Sequence, residues 1–324
     1  RRKPEVVSQL IREFVGGRLG DQVGGSVDLY LENPCEQSCI FCVFPRMRPL
    51  EGHQRRQEKL RSRSDQDQDI FSLGAFSEML SVLRELDPAP ALRINGNDWA
   101  RHPHVQKMLD TLQTEKDVPI RFLGPSTILE DPGFVGRLSN ISTLEGITLT
   151  LLSVDDARHD AIVGRSGSAA KVKAALKNLL DANIRVWANI VLVADTIPEI
   201  PELLRWLGEQ GVVCALHAFF PDEHPDGWSS ELLPTAQSIR AVLESLDAQQ
   251  IDAIDVLVGL PTCAVPSVLR QRLEPLWKTE EREERVYAEC CDSCFLRVEC
   301  SGLAESYKPS DENLGLLPEK SVYG

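Results

Sequence analysis

The chain has 324 residues, enough for one large α/β domain and a small addition. Apolar residues make up 42% of it and charged residues 26%, which is ordinary for a soluble globular protein. The net charge of −14 disfavours broad binding to nucleic acid, because such binding needs Lys and Arg side chains that neutralise phosphates. No run of 18 or more apolar residues occurs, so we expect no membrane-spanning helix.

The first 70 residues contain three segments of different character. Apolar residues at helical spacing over residues 4–19 predict an amphipathic helix that packs on the main domain, and residues 1–25 are assigned to it. Residues 26–31 have the pattern of a strand. Residues 45–70 are polar and include seven basic side chains. This segment fits either a solvated loop or a flap that grips an acidic substrate.

From residue 74 onward, strand and helix patterns alternate along the chain. Helices are predicted at residues 74–86, 105–112, near Asp131-Pro132, and at 172–180, 198–208 and 235–247. Strands are predicted at residues 91–94, 119–123, 147–152, 185–193, 212–220 and 255–258. Up to about residue 250 this makes six β/α units, and the alternation implies a parallel sheet. Loops at the carboxyl ends of such strands carry the chemistry.

The nine cysteines fall mainly into two tight groups, Cys35/Cys39/Cys42 and Cys290/Cys291/Cys294/Cys300. In a chain without a signal peptide, such groups indicate metal sites rather than disulfides, and they predict a reducing cytoplasm. Cys214 lies in an apolar strand and is expected to be buried and inert.

The first group has the spacing CxxxCxxC and directly follows the first predicted strand. Thiolates hold iron–sulfur clusters, and three of them would leave one iron of a [4Fe–4S] cube open for chemistry. A three-cysteine zinc site with a further ligand, or buried thiols without a metal, are the alternatives.

With Phe41 before its last cysteine, this motif resembles that of the radical S-adenosylmethionine (SAM) superfamily. The resemblance implies a partial (β/α)6 TIM-like barrel over residues 26–250, with Cys35, Cys39 and Cys42 holding a [4Fe–4S] cluster. SAM chelates the open iron in that family, and an electron from a donor such as flavodoxin or ferredoxin cleaves it. The resulting 5′-deoxyadenosyl radical abstracts hydrogen from a substrate.

The resemblance also implies contacts with SAM at the end of the second strand. There Gly96, Asn97 and Asp98 stand where the family has a GGE-like motif that binds the amino group of SAM. Asp98 takes the place of the glutamate. Gly and Asn at a strand end also permit the tight turns that bring backbone close to a ligand.

Three further residues are candidates for SAM binding. Ser153 and Arg165 belong to a stretch that is similar to the family's Ser-x-Asp … Gly pattern, whose members contact the SAM carboxylate and ribose. Arg165 follows Gly164, whereas the family often has its arginine before the glycine. Asn189, in the middle of the fifth strand, either reaches SAM hydroxyls or bonds neighbouring side chains. His159 is interpreted as structural.

The tail, residues 251–324, contains Cys263 and the pattern CxxC-x5-C, which is a strong metal-ligand signal. The tail resembles the auxiliary-cluster region of twitch- and SPASM-type radical SAM enzymes. The resemblance implies a small iron–sulfur extension in which Cys263, Cys291, Cys294 and Cys300 close a second [4Fe–4S] cluster. A four-cysteine zinc site is the alternative, and Cys290 competes with Cys291 for one ligand position.

We therefore predict a radical SAM enzyme with an auxiliary cluster. Many relatives of this type modify ribosomally made peptides, so the predicted activity is oxidation or cross-linking of a precursor peptide. A small biosynthetic metabolite is the alternative substrate. In a different class, the chain would be a cysteine-rich metalloprotein without catalytic activity.

Overall fold

The computed structural model describes residues 25–31, 35–42, 73–96, 98–124, 127–218, 232–274, 285–300, 302–304 and 315–316. The predicted N-terminal helix at 4–19, the polar segment at 45–70 and Asn97 lie outside these residues. Within them, no helix is long and apolar enough to cross a membrane.

Strands and helices alternate through most of the described chain. The strands are β1 (Ser26–Leu31), β2 (Ala91–Gly96), β3 (Ile120–Leu123), β4 (Leu144–Thr150), β5 (Val186–Leu192), β6 (Val213–Ala218), β7 (Ile254–Val258), β8 (Leu273–Glu274), β9 (Arg285–Val286) and β10 (Leu303–Ala304). The α-helices are α1 (Leu73–Arg84), α2 (Val105–Thr114), α3 (Pro132–Leu138), α4 (Asp156–Val163), α5 (Ser168–Asp181), α6 (Ile200–Glu209), α7 (Ala236–Glu244) and α8 (Ala248–Asp252).

Strands β1 to β8 follow one another in the main sheet in the order of the chain. Pairing is parallel from β1 through β4 and again from β6 through β8. Helices separate most of these strands, because parallel neighbours have to be joined by a crossover connection. The predicted α/β class, with the β/α succession of a partial TIM-like barrel, is confirmed.

The described residues group into two compact units. The first lies within Arg1–Gln37, Gln54–Thr150 and Gly167–Trp187, and the second within Ser38–His53, Leu151–Ser166 and Ala188–Gly324.

The apolar faces predicted from the sequence form the core. Helix α1 buries Phe76, Met79, Leu80 and Leu83, the stripe that its spacing predicts. Helix α3 begins at the expected position, because the Asp131 side chain accepts a hydrogen bond from Gly133 N at 2.9 Å.

Two of the elements named above were not predicted. The strand predicted at residues 255–258 is present as β7 and pairs with β6, but β8, which pairs with β7, was not predicted. Helix α4 was not predicted, because its apolar residues are concentrated at its end and show no helical period. Its signals are local ones: Asp155 caps the first turn through Arg158 N, and Gly164 follows its last residue.

Glu115 links the segment that follows α2 to the end of α1. This carboxylate is 1% exposed, and its Oε1 accepts hydrogen bonds from the backbone N–H groups of Lys116, Asp117 and Val118. Its Oε2 accepts from Arg84 at the end of α1 at 3.0 Å. Burial alone raises the pKa of Glu115, but these hydrogen bonds outweigh it and hold the pKa below its ordinary value.

Replacement of Glu115 by Ala is expected to lower the free energy of unfolding by about 3 kcal/mol, since it leaves buried donors without an acceptor. Urea unfolding at pH 7 measures this loss. Because the pKa is lowered on folding, the stabilisation is complete above the ordinary pKa and is lost as the pH falls through the lowered one. The difference between wild type and variant should therefore shrink below about pH 4.

Glu145 provides the matched control. Its pair with Arg121 is more than one third exposed on both sides, so Glu145→Ala should cost about 1 kcal/mol or less. Equal losses for the two variants would contradict the role assigned to Glu115.

Candidate active site

The CxxxCxxC motif lies in a loop after β1. Cys35, Cys39 and Cys42 are each partly exposed, and none of them forms a disulfide. The Sγ of Cys35 accepts a hydrogen bond from the backbone N–H of Gln37 at 3.4 Å. A sulfur that accepts such a bond is suited to the thiolate form in which cysteine binds iron.

The end of helix α4 supports this loop. Ser38 N donates to Val163 O at 2.8 Å, and Ile40 N donates to Ile162 O at 3.1 Å. The last carbonyls of a helix lack partners within it, so the loop supplies donors that the helix needs. Phe41, beside the last cysteine, packs on both Ile162 and Val163 within a buried apolar cluster.

Gly164 makes this approach possible. It ends α4 in the left-handed conformation with φ of +63°, and a Cβ there would lie 3.0 Å from Ser38 O and 3.1 Å from Ser38 Cβ. A side chain would therefore be strained and would also press on the cysteine loop.

The end of β2 is shaped by a second glycine. Gly96 has φ of +138°, and a Cβ there would meet Leu31 O at 2.1 Å, so the ends of β1 and β2 approach as only glycine allows. Asp98 is 3% exposed, and its Oδ2 accepts a hydrogen bond from Arg101 Nε at 3.0 Å. Asn97, the remaining residue of this predicted motif, lies outside the described residues.

Ser153 is fully buried after β4 and is engaged within the protein. Its hydroxyl donates to Glu199 Oε2 at 2.9 Å and accepts from Asp155 N at 2.9 Å. A hydroxyl has one donor and two lone pairs. In this conformation its one proton goes to Glu199, so Ser153 has none left to donate to the carboxylate of SAM. The partner Glu199 also pairs with Arg158, and sequence reasoning missed it because it lies 46 residues further along the chain.

Asn189 and Arg165 differ in their surroundings. The side-chain oxygen of Asn189 is buried on β5, and no described residue donates a hydrogen bond to it. Buried polar groups usually have a partner, so this oxygen fits a donor on a bound ligand. Arg165 is exposed, and its backbone N–H donates to Asp160 O at 3.0 Å.

Two histidine rings differ in their surroundings. His159 is buried, and its Nδ1 accepts from Leu152 N at 3.3 Å, which agrees with the structural role predicted for it. His217, which the sequence analysis did not single out, lies near the carboxyl end of β6 opposite Val258. Burial lowers the pKa of His217 to about 4, so its imidazole is neutral at physiological pH.

Four cysteines of the tail line one cavity. Cys263, Cys291, Cys294 and Cys300 lie there together with Tyr287 and Arg297. Cys290 is not among the residues that line this cavity, although its side chain lies within hydrogen-bond distance of the Cys291 thiol.

The thiols that line this cavity differ in their surroundings. Cys300 Sγ accepts from Gly302 N at 3.4 Å and from Thr262 N at 3.5 Å. Burial raises the pKa of the Cys291 thiol to about 12, and Cys290 and Cys263 act in the same direction. These effects keep the Cys291 thiol protonated unless a bound cation takes the place of its proton. Cys214 is fully buried, and burial together with the Asp255 charge raises the pKa of its thiol, as expected for an inert cysteine.

Gly164→Ala is expected to reduce iron incorporation at the cysteine loop, because the added methyl group presses on Ser38. Gly167→Ala is the matched control: its φ is +77°, but a Cβ there has no neighbour within 4 Å. Both substitutions should cost about 1–2 kcal/mol of backbone strain, measured by unfolding. Only Gly164→Ala should also lower the iron bound after anaerobic reconstitution. Equal iron content in the two variants would count against this contact.

Comparison with known proteins identifies the family. Among solved structures, the chain is similar to "Native anSMEcpe with bound AdoMet and Cp18Cys peptide" (12% identity, TM-score 0.48, 68% of this chain and 58% of that one). It is also similar to "Structure of TYW1 with a lysine-pyruvate adduct bound" (13%, 0.40, 67% and 72%) and to a radical SAM methyltransferase from Sphaerobacter thermophilus (16%, 0.46, 69% and 64%).

The chain thus spans less than two thirds of the length of the first of these structures. No curated protein matches it. The sequence model of the Radical SAM superfamily, however, matches residues 33–207, which is more than half of the chain and includes all three cysteines of the loop. The chain therefore belongs to the radical SAM superfamily.

Proposed function

We propose that this radical SAM enzyme binds its SAM-dependent [4Fe–4S] cluster through Cys35, Cys39 and Cys42 and carries a second [4Fe–4S] cluster on its tail. We further propose that it oxidises or cross-links a ribosomally made precursor peptide. The observation that carries the proposal is the cavity lined by Cys263, Cys291, Cys294 and Cys300.

The residues of the first loop suit the cluster that the family implies. Three partly exposed thiols lie within eight residues, and backbone hydrogen bonds to α4 hold the segment between them. When bound, the cluster and SAM supply a 5′-deoxyadenosyl radical that abstracts hydrogen from the substrate. The protein's task is to hold the reactants in place and to exclude water and side reactions.

The hydrogen bonds and exposure of each predicted SAM-binding residue support a different role for it in binding SAM. The buried Asn189 oxygen suits a hydroxyl or amino donor of SAM. Ser153 retains one lone pair, so it suits an acceptor role towards the ribose hydroxyls and not a donor role towards the SAM carboxylate. The exposed Arg165 is the candidate for the carboxylate, because a guanidinium binds carboxylates in a bidentate manner.

We favour a cluster over a zinc ion for the tail cavity, because an enzyme that already binds one iron–sulfur cluster has cluster assembly and an electron route available. The four thiols that line this cavity are also enough to close a [4Fe–4S] cluster, and a four-cysteine zinc site is the alternative.

A cluster with four cysteine ligands leaves no iron open to a substrate. When bound, such a cluster would supply an electron acceptor, and the two backbone N–H groups at Cys300 Sγ would favour acceptance because hydrogen bonds to sulfur tune the reduction potential. The substrate radical left by hydrogen abstraction would pass one electron to this acceptor and release a proton, which would complete a two-electron oxidation. This reasoning, together with the resemblance to twitch- and SPASM-type enzymes, supports peptide oxidation or cross-linking.

The cluster assignment predicts iron counts after anaerobic reconstitution. Wild type is expected to bind about eight irons, and the Cys35/Cys39/Cys42→Ala variant about four. Cys291→Ala should lose most of the second set of irons, whereas Cys290→Ala, the matched control, should retain both. The triple variant should also form no 5′-deoxyadenosine from SAM and dithionite. Four irons plus one zinc in active wild type would overturn the second cluster alone.

The substrate class has its own test. A precursor peptide encoded beside this gene should stimulate 5′-deoxyadenosine formation. The peptide should also lose two hydrogens, which mass spectrometry detects as a lower mass. Removal of its leader segment should abolish both effects, because peptide-modifying enzymes hold their substrates through the leader. A product formed equally well without the leader, or only from a small metabolite, would refute the peptide assignment while leaving the cluster chemistry intact.

A further inference from the structure

We propose that Arg101 is a positioning residue for the cysteine loop, acting through an ion pair with Glu36. Glu36 directly follows Cys35, and Arg101 Nη2 lies 2.9 Å from Glu36 Oε1. The inference rests on the proposed assignment of the first cluster to Cys35, Cys39 and Cys42.

The Arg101 guanidinium contacts three side chains at once. Besides Glu36, its Nε donates to Asp98 Oδ2 at 3.0 Å, and its Nη2 donates to Thr127 Oγ1 at 3.4 Å. The Asp98 side chain is 4% exposed, whereas those of Arg101 and Glu36 are 38% and 26% exposed. A buried carboxylate therefore fixes one edge of a planar group whose other edge reaches the loop.

The short turn that bears Arg101 is fixed by packing in the core. Arg101 belongs to the short helical turn Trp99–Arg101 after β2, and Trp99 is fully buried with its ring stacked on Phe122 at 4.2 Å. The turn therefore packs into the core of the first unit. Glu36, by contrast, belongs to a loop, and the pair with Arg101 ties that loop to the core.

The pair between Arg101 and Glu36 adds to other contacts that hold the cysteine loop. The backbone groups of Ser38 and Ile40 are held by the end of α4, and the Gln37 side chain donates to Ser168 Oγ at 2.8 Å. Arg101 acts one residue from Cys35, the first proposed ligand. Because metal ligands need to be held within about 0.5 Å, loss of this anchor should weaken retention of the cluster.

A double-mutant cycle tests the proposal. The variants are Arg101→Gln, Glu36→Gln and the two combined, each reconstituted anaerobically. The measurement is the rate at which bipyridyl removes the cluster, followed by the decay of the EPR signal of the reduced cluster that changes when SAM is added. This signal reports the SAM-binding cluster and not the second one.

Each single variant should lose the signal roughly fivefold faster than wild type, the factor that corresponds to about 1 kcal/mol. The double variant should be no faster than either single one, since both substitutions remove the same contact. Effects that multiply in the double variant, or rates equal to wild type, would overturn the proposal. If Arg101→Gln does not fold, Glu36→Gln alone decides, because that side chain is partly exposed and its loss leaves the Asp98–Arg101 contact in place.

Two controls separate positioning from general stability. Arg101→Lys keeps the charge but lacks the planar fork, so it should lose the cluster nearly as fast as Arg101→Gln. Arg137→Gln removes a comparable ion pair, to Asp110 at 2.6 Å on helices α3 and α2, and should retain wild-type rates. A wild-type protein without any SAM-sensitive signal would refute the first cluster itself, an outcome distinct from unchanged rates in the variants.

Discussion

The backbone hydrogen bonds between the cysteine loop and the end of helix α4 are the contacts on which the candidate site depends. Ser38 and Ile40 donate to Val163 and Ile162, the last two residues of that helix. The bonds satisfy both partners, because a loop has N–H groups to place and a helix end has carbonyls without partners. Gly164 allows the close approach, so the helix stop and the loop position are one structural feature.

Several residues that sequence motifs assign to ligand binding are also bonded within the protein. Asp98 is buried against Arg101, and Ser153 is buried between Glu199 and Asp155. The reason is physical: polar groups in a closely packed interior need partners, and a ligand that is present only part of the time does not supply them. Asn189 is different, since its buried oxygen has no donor among the described residues. This oxygen is the reason for proposing that Asn189 contacts a ligand.

The cavity of the tail is lined by one buried cysteine and three partly exposed ones. Strand β7 leads directly to Cys263, which lies in a short buried turn with Thr262 and Ala264. The other three thiols come from short turns stabilised by local bonds such as Cys294 N to Cys291 O. The sheet extends beyond six strands. This extension places Cys263, which lines the cavity, within the buried core.

The sequence by itself determined the order of strands and helices, the apolar face of α1, the cap at Asp131 and the family, because these depend on local spacing and on residue type. Only the tertiary structure decided which residues pair across the chain, such as Arg84 with Glu115, Ser153 with Glu199 and Glu36 with Arg101, and that Cys263 and Cys291 line one cavity. These choices follow from packing, which brings distant segments together and makes each buried charge or hydroxyl find a partner. The spacing of residues along the chain does not show which distant residues come into contact.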